Sequence, residues 1–234
     1  MRIDAKNWRN EKMSVIAIIG AGPGMGLAIA NMFGSHGFKV ALISRSTEKL
    51  NLLVHQLTRK GIEAAAFGAD VYDRESLVTA LRRVKKRFGH IDVLEFSPND
   101  PGMKLAPATQ LTYENVQKAI DFQIHGAIAA ANEVIPEMIH RGSGTILFTT
   151  GASSVHPEIG HEWVANYGVA VAGLRNWAHA LHASLGPKGV QVAHIAIGVF
   201  IGQEPEASAE AIAPLYWELH SERDQVERVF VLQK

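Results

Sequence analysis

Val15-Ile16-Ala17-Ile18-Ile19-Gly20-Ala21-Gly22-Pro23-Gly24-Met25-Gly26 runs directly into Leu27-Ala28-Ile29-Ala30-Asn31-Met32. The opening five residues are apolar without alternation, as a strand covered on both faces must be. Glycines then crowd a turn, and an apolar helical pattern follows. A strand, a glycine turn and a helix in that order can hold a dinucleotide. The turn is tight, a side chain would block the pyrophosphate, and the free N–H groups of the helix start favour negative charge.

Six further apolar or β-branched runs follow: Phe38–Ile43, Ile62–Phe67, Ile91–Phe96, Thr145–Thr149, Val190–Ala196 and Arg228–Leu232. Helical patterns near 24–36, 46–60, 73–88, 112–140, 163–186 and 206–221 separate them. This alternation predicts an α/β Rossmann-type fold, a doubly wound three-layer sandwich around a seven-stranded, mainly parallel sheet. Ligands of such sheets bind beyond the carboxyl ends of the strands. No linker or repeat divides the chain. Residues 1–12 therefore read as a flexible N-terminal extension and 13–234 as a single domain.

At 234 residues and 47% hydrophobic content, one domain can bury a large core. Lys plus Arg and Asp plus Glu number 23 each, so no net field draws nucleic acid or an anionic membrane. The basic run Arg82-Arg83-x-Lys85-Lys86-Arg87 reads as a solvated helix end rather than a nucleic-acid patch. Val15–Ile19 is too short for a signal peptide or a membrane span. The chain has no cysteine, which excludes disulfides and thiolate metal sites and fits a cytoplasmic protein. His179 and His182 share a helix face, but with no third ligand in sight no metal is expected.

In Gly20-Ala21-Gly22-Pro23-Gly24-Met25-Gly26 the chain resembles the short-chain dehydrogenase/reductase family, whose turn reads Thr-Gly-x-x-x-Gly-x-Gly; Ile19 replaces the threonine. The likeness extends to Asp70-Val71, to Gly126…Pro136-x-Met138 and to Leu185-Gly186-Pro187-Lys188-Gly189-Val190. It implies a cofactor site made of Gly20, Gly22, Gly24, Met25, Gly26, Asp70, Val71, Ser97, Pro98 and Gly198. The second strand ends in Ser44-Arg45, where an acid would select NAD(H) through the free ribose hydroxyl. Arg45 instead offers donors suited to a 2′-phosphate, so NADP(H) is expected and NAD(H) is the lesser alternative. Asp70 reads equally as a helix cap.

The family's catalytic groups are a tyrosine, a lysine four residues on, a serine and an asparagine. The resemblance places Tyr167 at the first, Ser154 or Ser153 at the serine and Gln123 at the asparagine, while Val171 occupies the lysine position. Ser154 is preferred because it stands thirteen residues before Tyr167. A free tyrosine titrates near pH ~10, so only about one molecule in 10³ is a phenolate at neutrality, and reduction suffers less than oxidation. His125, His156 and His161 are candidates for a substitute proton relay. The implied activity is NADP(H)-dependent reduction of a carbonyl or related electrophile on a small molecule. The alternatives are a cofactor-binding protein without hydride transfer, such as a responsive partner or degenerate subunit, and an isomerase or cyclase.

After the sixth strand, Gly198-Val199-Phe200-Ile201-Gly202-Gln203-Glu204-Pro205 leaves little length for a substrate lid, and Phe200 and Trp163 are candidates for an apolar wall. Small residues, among them Ala127, Ala130, Ala170 and Gly173, stud the 112–140 and 163–186 helices. By the resemblance, those helices would build a homodimer or homotetramer.

Overall fold

The structure, a computed structural model, describes residues 13–232. The extension expected at 1–12 lies outside them. Seven strands form one sheet: β1 (Val15–Ile19), β2 (Lys39–Ser44), β3 (Ala64–Gly68), β4 (Val93–Phe96), β5 (Gly144–Gly151), β6 (Val190–Ile197) and β7 (Glu227–Phe230). The spatial order is β3-β2-β1-β4-β5-β6-β7, and every neighbouring pair is parallel. All residues of β1, β4 and β6 are buried, which explains their unalternating sequences.

On one face pack α1 (Met25–Ser35), α2 (Thr47–Arg59), α8 (Ala209–Ile212) and α9 (Pro214–Ser221). On the other lie α3 (Arg74–Phe88), α4 (Tyr113–Ile120), α5 (Gly126–Arg141) and α7 (Ala165–Leu185), with the short α6 (Pro157–Gly160) preceding α7. Lys85 Nζ and Arg82 Nε reach Glu133 on α5 at 2.5 and 3.3 Å, so part of the basic run ties two helices together.

Two expected helices are divided. The 206–221 pattern becomes α8 and α9, because Pro214 lacks the N–H that would continue the first. Between α4 and α5 the expected continuous helix widens into one π turn, Asp121–His125. Such turns insert a residue into the helical ladder and concentrate at functional sites. This one carries Gln123.

The order reverses between β1, whose chain turns toward β2, and β4, which leads on to β5. A crevice opens beyond the carboxyl ends of these two strands.

Candidate active site

The chain leaves β1 at Gly20, where φ is +92°. A Cβ there would lie 2.4 Å from Pro98 Cα, and one on Gly26 would lie 2.8 Å from Ala21 Cα, so these two glycines let backbones meet. A Cβ on Gly22 or Gly24 would meet nothing within 4 Å; their lack of side chains keeps the crevice floor open. α1 begins at Gly24 with no side-chain cap and no acid in its first turn. Its free N–H groups and dipole suit a pyrophosphate.

At the crevice's β2 end lies a hollow of about 360 Å³ lined by Ser44, Arg45, Ser46, Lys49, Asp70 and Val71. Ser46 caps α2 by accepting from Lys49 N at 3.3 Å. Asp70 does not cap α3; that work falls to Asp73, which accepts from Ser76 N at 3.1 Å. Asp70 Oδ1 instead accepts from Tyr72 N at 3.0 Å, which fixes the bend entering α3.

Beyond β4 and β5 the crevice continues as a hollow of about 520 Å³ whose walls include Met25, Ser97, Pro98, Thr149, Thr150 and Tyr167. It joins a third hollow of about 540 Å³, faced by Ile159, Trp163 and Phe200, with Gly151, Tyr167, Ile197 and Val199 common to both. Phe200 is 66% exposed and Trp163 49%, so apolar side chains stand uncovered at the mouth. Gly198 lines this third hollow, between Ile197 and Val199, which line the crevice as well.

The Tyr167 hydroxyl accepts a hydrogen bond from Gln123 Nε2 at 2.5 Å, and Gln123 is wholly buried. Burial pushes the hydroxyl well above the ordinary tyrosine range, and the Gln123 contact opposes this only in part. Val171, one turn further along α7, is wholly buried and offers no charge. The tyrosine therefore keeps its proton at neutral pH.

Ser154 has its hydrogen-bond partners in Thr150 and Gly151, not in Tyr167. The chain leaves β5 in one 3-10 turn, Ala152–Ser154, whose successive side chains point about 120° apart. Ser153 lines the hollow with Tyr167 and also an adjoining one of about 350 Å³, while Ser154 lines only the latter and is buried. Its hydroxyl donates to Gly151 O at 2.9 Å and lies 2.8 Å from Thr150 Oγ1. It adjoins the crevice through Gly151 and Thr150.

The three candidate histidines also stand aside. His125 Nδ1 pairs with Asp121 at 2.8 Å, His156 Nδ1 with Glu158 at 3.2 Å, and His161 Nδ1 lies 2.6 Å from Glu158 O. None lines a hollow that Tyr167 shares.

Two polar clusters under the crevice escaped the sequence reading. Glu95, wholly buried on β4, accepts from Ser97 Oγ at 2.8 Å and Thr149 Oγ1 at 2.9 Å, and Thr149 Oγ1 lies 2.9 Å from Tyr216 OH. Burial pushes the Glu95 carboxyl up to about 8. On the opposite face of the sheet, His194 of β6 sits between Thr150 and Glu227. The signal for both was present: a lone ionisable residue inside an otherwise apolar strand, Val93-Leu94-Glu95-Phe96 and Val192-Ala193-His194-Ile195.

A model of the short chain dehydrogenase family matches residues 14–208. The serine 3-dehydrogenase of Rhizobium radiobacter is 31% identical over 186 residues, covering 79% of this chain and 71% of that one. A 3-oxoacyl-(acyl-carrier-protein) reductase of Staphylococcus aureus is 27% identical over 207 residues, covering 86% and 80%. The crystal structure of L-sorbose reductase from Gluconobacter frateurii, complexed with NADPH and L-sorbose, superposes with a TM-score of 0.82 at 22% identity, covering 94% of this chain and 95% of that one. Crevice, glycine turn and sheet order thus come with a family match along most of the chain, and the protein belongs to the short-chain dehydrogenase family of oxidoreductases.

Proposed function

We propose that the protein is an NADP(H)-dependent reductase of a carbonyl or related electrophile on a small molecule with an apolar body. The cofactor preference rests on one observation: the end of β2 presents Arg45 and Lys49, with the hydroxyls of Ser44 and Ser46, around the place of the ribose 2′ position. Two cations and two hydroxyls suit a phosphate better than a free hydroxyl. The NADPH held by the sorbose reductase neighbour agrees with this preference.

The bound nicotinamide would supply the hydride. Tyr167 receives its hydrogen bond from Gln123, so its O–H is left to hydrogen-bond and polarise the substrate's carbonyl oxygen. Its raised proton affinity keeps it neutral at physiological pH, the form that polarises a carbonyl and not the form that oxidises an alcohol. Ile159, Trp163, Val199 and Phe200 would hold the substrate's apolar body. We further propose one domain over residues 13–234 and a cytoplasmic homo-oligomer assembled through the 112–140 and 163–186 segments. Among the described residues no helix is long and apolar enough to cross a membrane.

One observation favours a second reading. With Val171 buried where the family's lysine would stand, the chain has the features of an NADP(H)-binding protein without hydride transfer. Fluorescence titration with NADPH and NADH tests the cofactor assignment. The wild type is expected to bind NADPH more tightly, and Arg45→Ala to weaken NADPH by about 10- to 10²-fold while leaving NADH unchanged. Equal affinity for the two nucleotides would overturn the assignment.

A further inference from the structure

His194 is wholly buried on β6, one strand in from the sheet's edge, yet each ring nitrogen has a partner. Nε2 lies 2.8 Å from Thr150 Oγ1, and Nδ1 lies 3.0 Å from Glu227 Oε2. Glu227 is gripped by Arg175, whose Nε and Nη2 donate at 2.5 and 2.9 Å, and His179 Nε2 lies 3.2 Å from the same carboxylate. Thr150 is 5% exposed and lines the crevice with Tyr167. At the other end, the side chains of Glu227 and His179 are 17% and 37% exposed. An unbroken line of exchangeable groups, with no gap above 3.2 Å, joins the crevice to the far surface.

Mutual satisfaction of polar core groups would need less than this. A buried histidine is satisfied by one donor and one acceptor anywhere in the core. Here the acceptor side meets a hydroxyl at the reacting end, and the donor side meets a carboxylate in contact with water. Glu227, held down to about 2 chiefly by its hydrogen bonds from Arg175, remains ionised and fixes the proton on Nδ1. Nε2 is then the acceptor for the Thr150 hydroxyl, whose single proton is turned to the ring at 2.8 Å and away from Gly151 O at 3.1 Å. The ionisable groups facing His194 are Glu227 from β7 and Arg175 and His179 from α7; Thr150 and Ser154 of the β5 end complete the cluster.

We propose that Thr150, His194 and Glu227 form a proton relay between solvent and the substrate oxygen, replacing the route that Val171 closes. This rests on the reductase reading. In the alcohol-to-carbonyl direction the substrate O–H bond breaks and its proton passes to Thr150 Oγ1, whose own proton moves to His194 Nε2. The hydride leaves the same carbon for the oxidised nicotinamide, and the electron pair of the broken O–H bond becomes the C=O π bond. The imidazolium charge is balanced by Glu227, and one proton leaves past Glu227 and His179. Reduction is the reverse: one hydride and one solvent proton are consumed per carbonyl. Burial holds His194 down to about 4, so the charged ring is transient and the proton is not retained there. Thr150 is the catalytic residue of the three; His194 and Glu227 act through it.

The test uses full-length protein with NADPH and phenanthrenequinone, an apolar vicinal diketone, as the probe. His194→Gln and Thr150→Val are expected to lower kcat about 10- to 10²-fold with the NADPH dissociation constant unchanged, and Thr150→Ser to restore most of the loss. A proton inventory in mixed light and heavy water should be curved for the wild type and linear for His194→Gln. Independently of turnover, ¹⁵N spectra of histidine-labelled protein should show His194 neutral and protonated at Nδ1, with its Nε2 resonance displaced in Thr150→Val. Wild-type kcat with a curved inventory in His194→Gln, or a resting Nε2–H form, overturns the relay alone. A wild type that binds NADPH but leaves it unoxidised overturns the reductase reading, and the relay with it.

Discussion

Pro98 Cα stands 2.4 Å from the point a Cβ on Gly20 would occupy, so the loops leaving β1 and β4 meet backbone to backbone where the sheet order reverses. Gly20 also holds φ at +92°, a conformation that L side chains rarely adopt. Gly20→Ala therefore carries both backbone strain and a clash, together worth about 2–4 kcal/mol. Chemical denaturation should show that loss, and NADPH affinity should fall with it. An alanine variant as stable as the wild type would contradict this packing.

Glu95 gives stability a pH slope. Its carboxyl is pushed up to about 8 by burial, above the ordinary 4.5, so the folded state binds the proton more strongly than the unfolded chain. The stabilisation is complete below about 4.5 and is lost as pH rises through about 8. The slope approaches ~1.4 kcal/mol per pH unit. Glu95→Gln keeps partners for Ser97 and Thr149 and should flatten unfolding free energy between pH 6.5 and 8, where His194 and His220 are neutral in both states, measured in urea at each pH. An unchanged slope would assign it elsewhere.

On the acid side the sign reverses. Burial lowers both His194 and His220 from 6.5 to about 4, so the folded state resists their protonation. Their contribution is present above about 6.5 and disappears as pH falls through about 4. His220 lies outside the crevice, with Nδ1 2.9 Å from Thr145 Oγ1. In His220→Gln the acid slope between pH 6.5 and 4.5 should lose one group's share, about 1.4 kcal/mol per pH unit, with the cofactor affinity untouched. Retention of the full acid slope would argue against a neutral, buried His220.

How far the sequence reveals this protein follows from where its information is local. The glycine turn, the apolar strands and the β2 cation were legible because each is a contiguous pattern with one physical use. Spacing alone does not separate Ser153 from Ser154, because it counts residues and not direction: in one 3-10 turn Ser153 lines the hollow of Tyr167 and Ser154 points to Thr150. The π turn at Gln123 could not be read, since its apolar periodicity matches that of an ordinary helix. The His194 cluster joins β5, β6, β7 and α7, segments far apart in sequence. Its one local sign was a histidine inside an apolar strand.

The apolar mouth predicts substrate preference. Trp163 and Phe200 are about half to two-thirds exposed, at 49% and 66%, and each can cover part of a bound ring. Partial burial of this kind contributes roughly 1 kcal/mol, so Trp163→Ala or Phe200→Ala should raise KM for aryl ketones about fivefold. KM for small aliphatic ketones should change little. Equal effects on both classes would show that these side chains only support the fold.

Tyr167→Phe removes the hydroxyl without removing the ring. Because the hydroxyl acts on the carbonyl oxygen and not on the nucleotide, kcat should drop about 10²-fold with NADPH binding unchanged. Full activity in the variant would leave Thr150 as the one hydroxyl serving the substrate.

The most direct measurement is hydride transfer itself: NADPH deuterated at the nicotinamide C4 is incubated with the protein and a panel of aryl ketones and diketones, and the products are analysed by mass spectrometry. Deuterium on the carbinol carbon of an alcohol product is the predicted result. Tight NADPH binding with no label transferred to any carbonyl would contradict the reductase reading and favour a cofactor-binding protein.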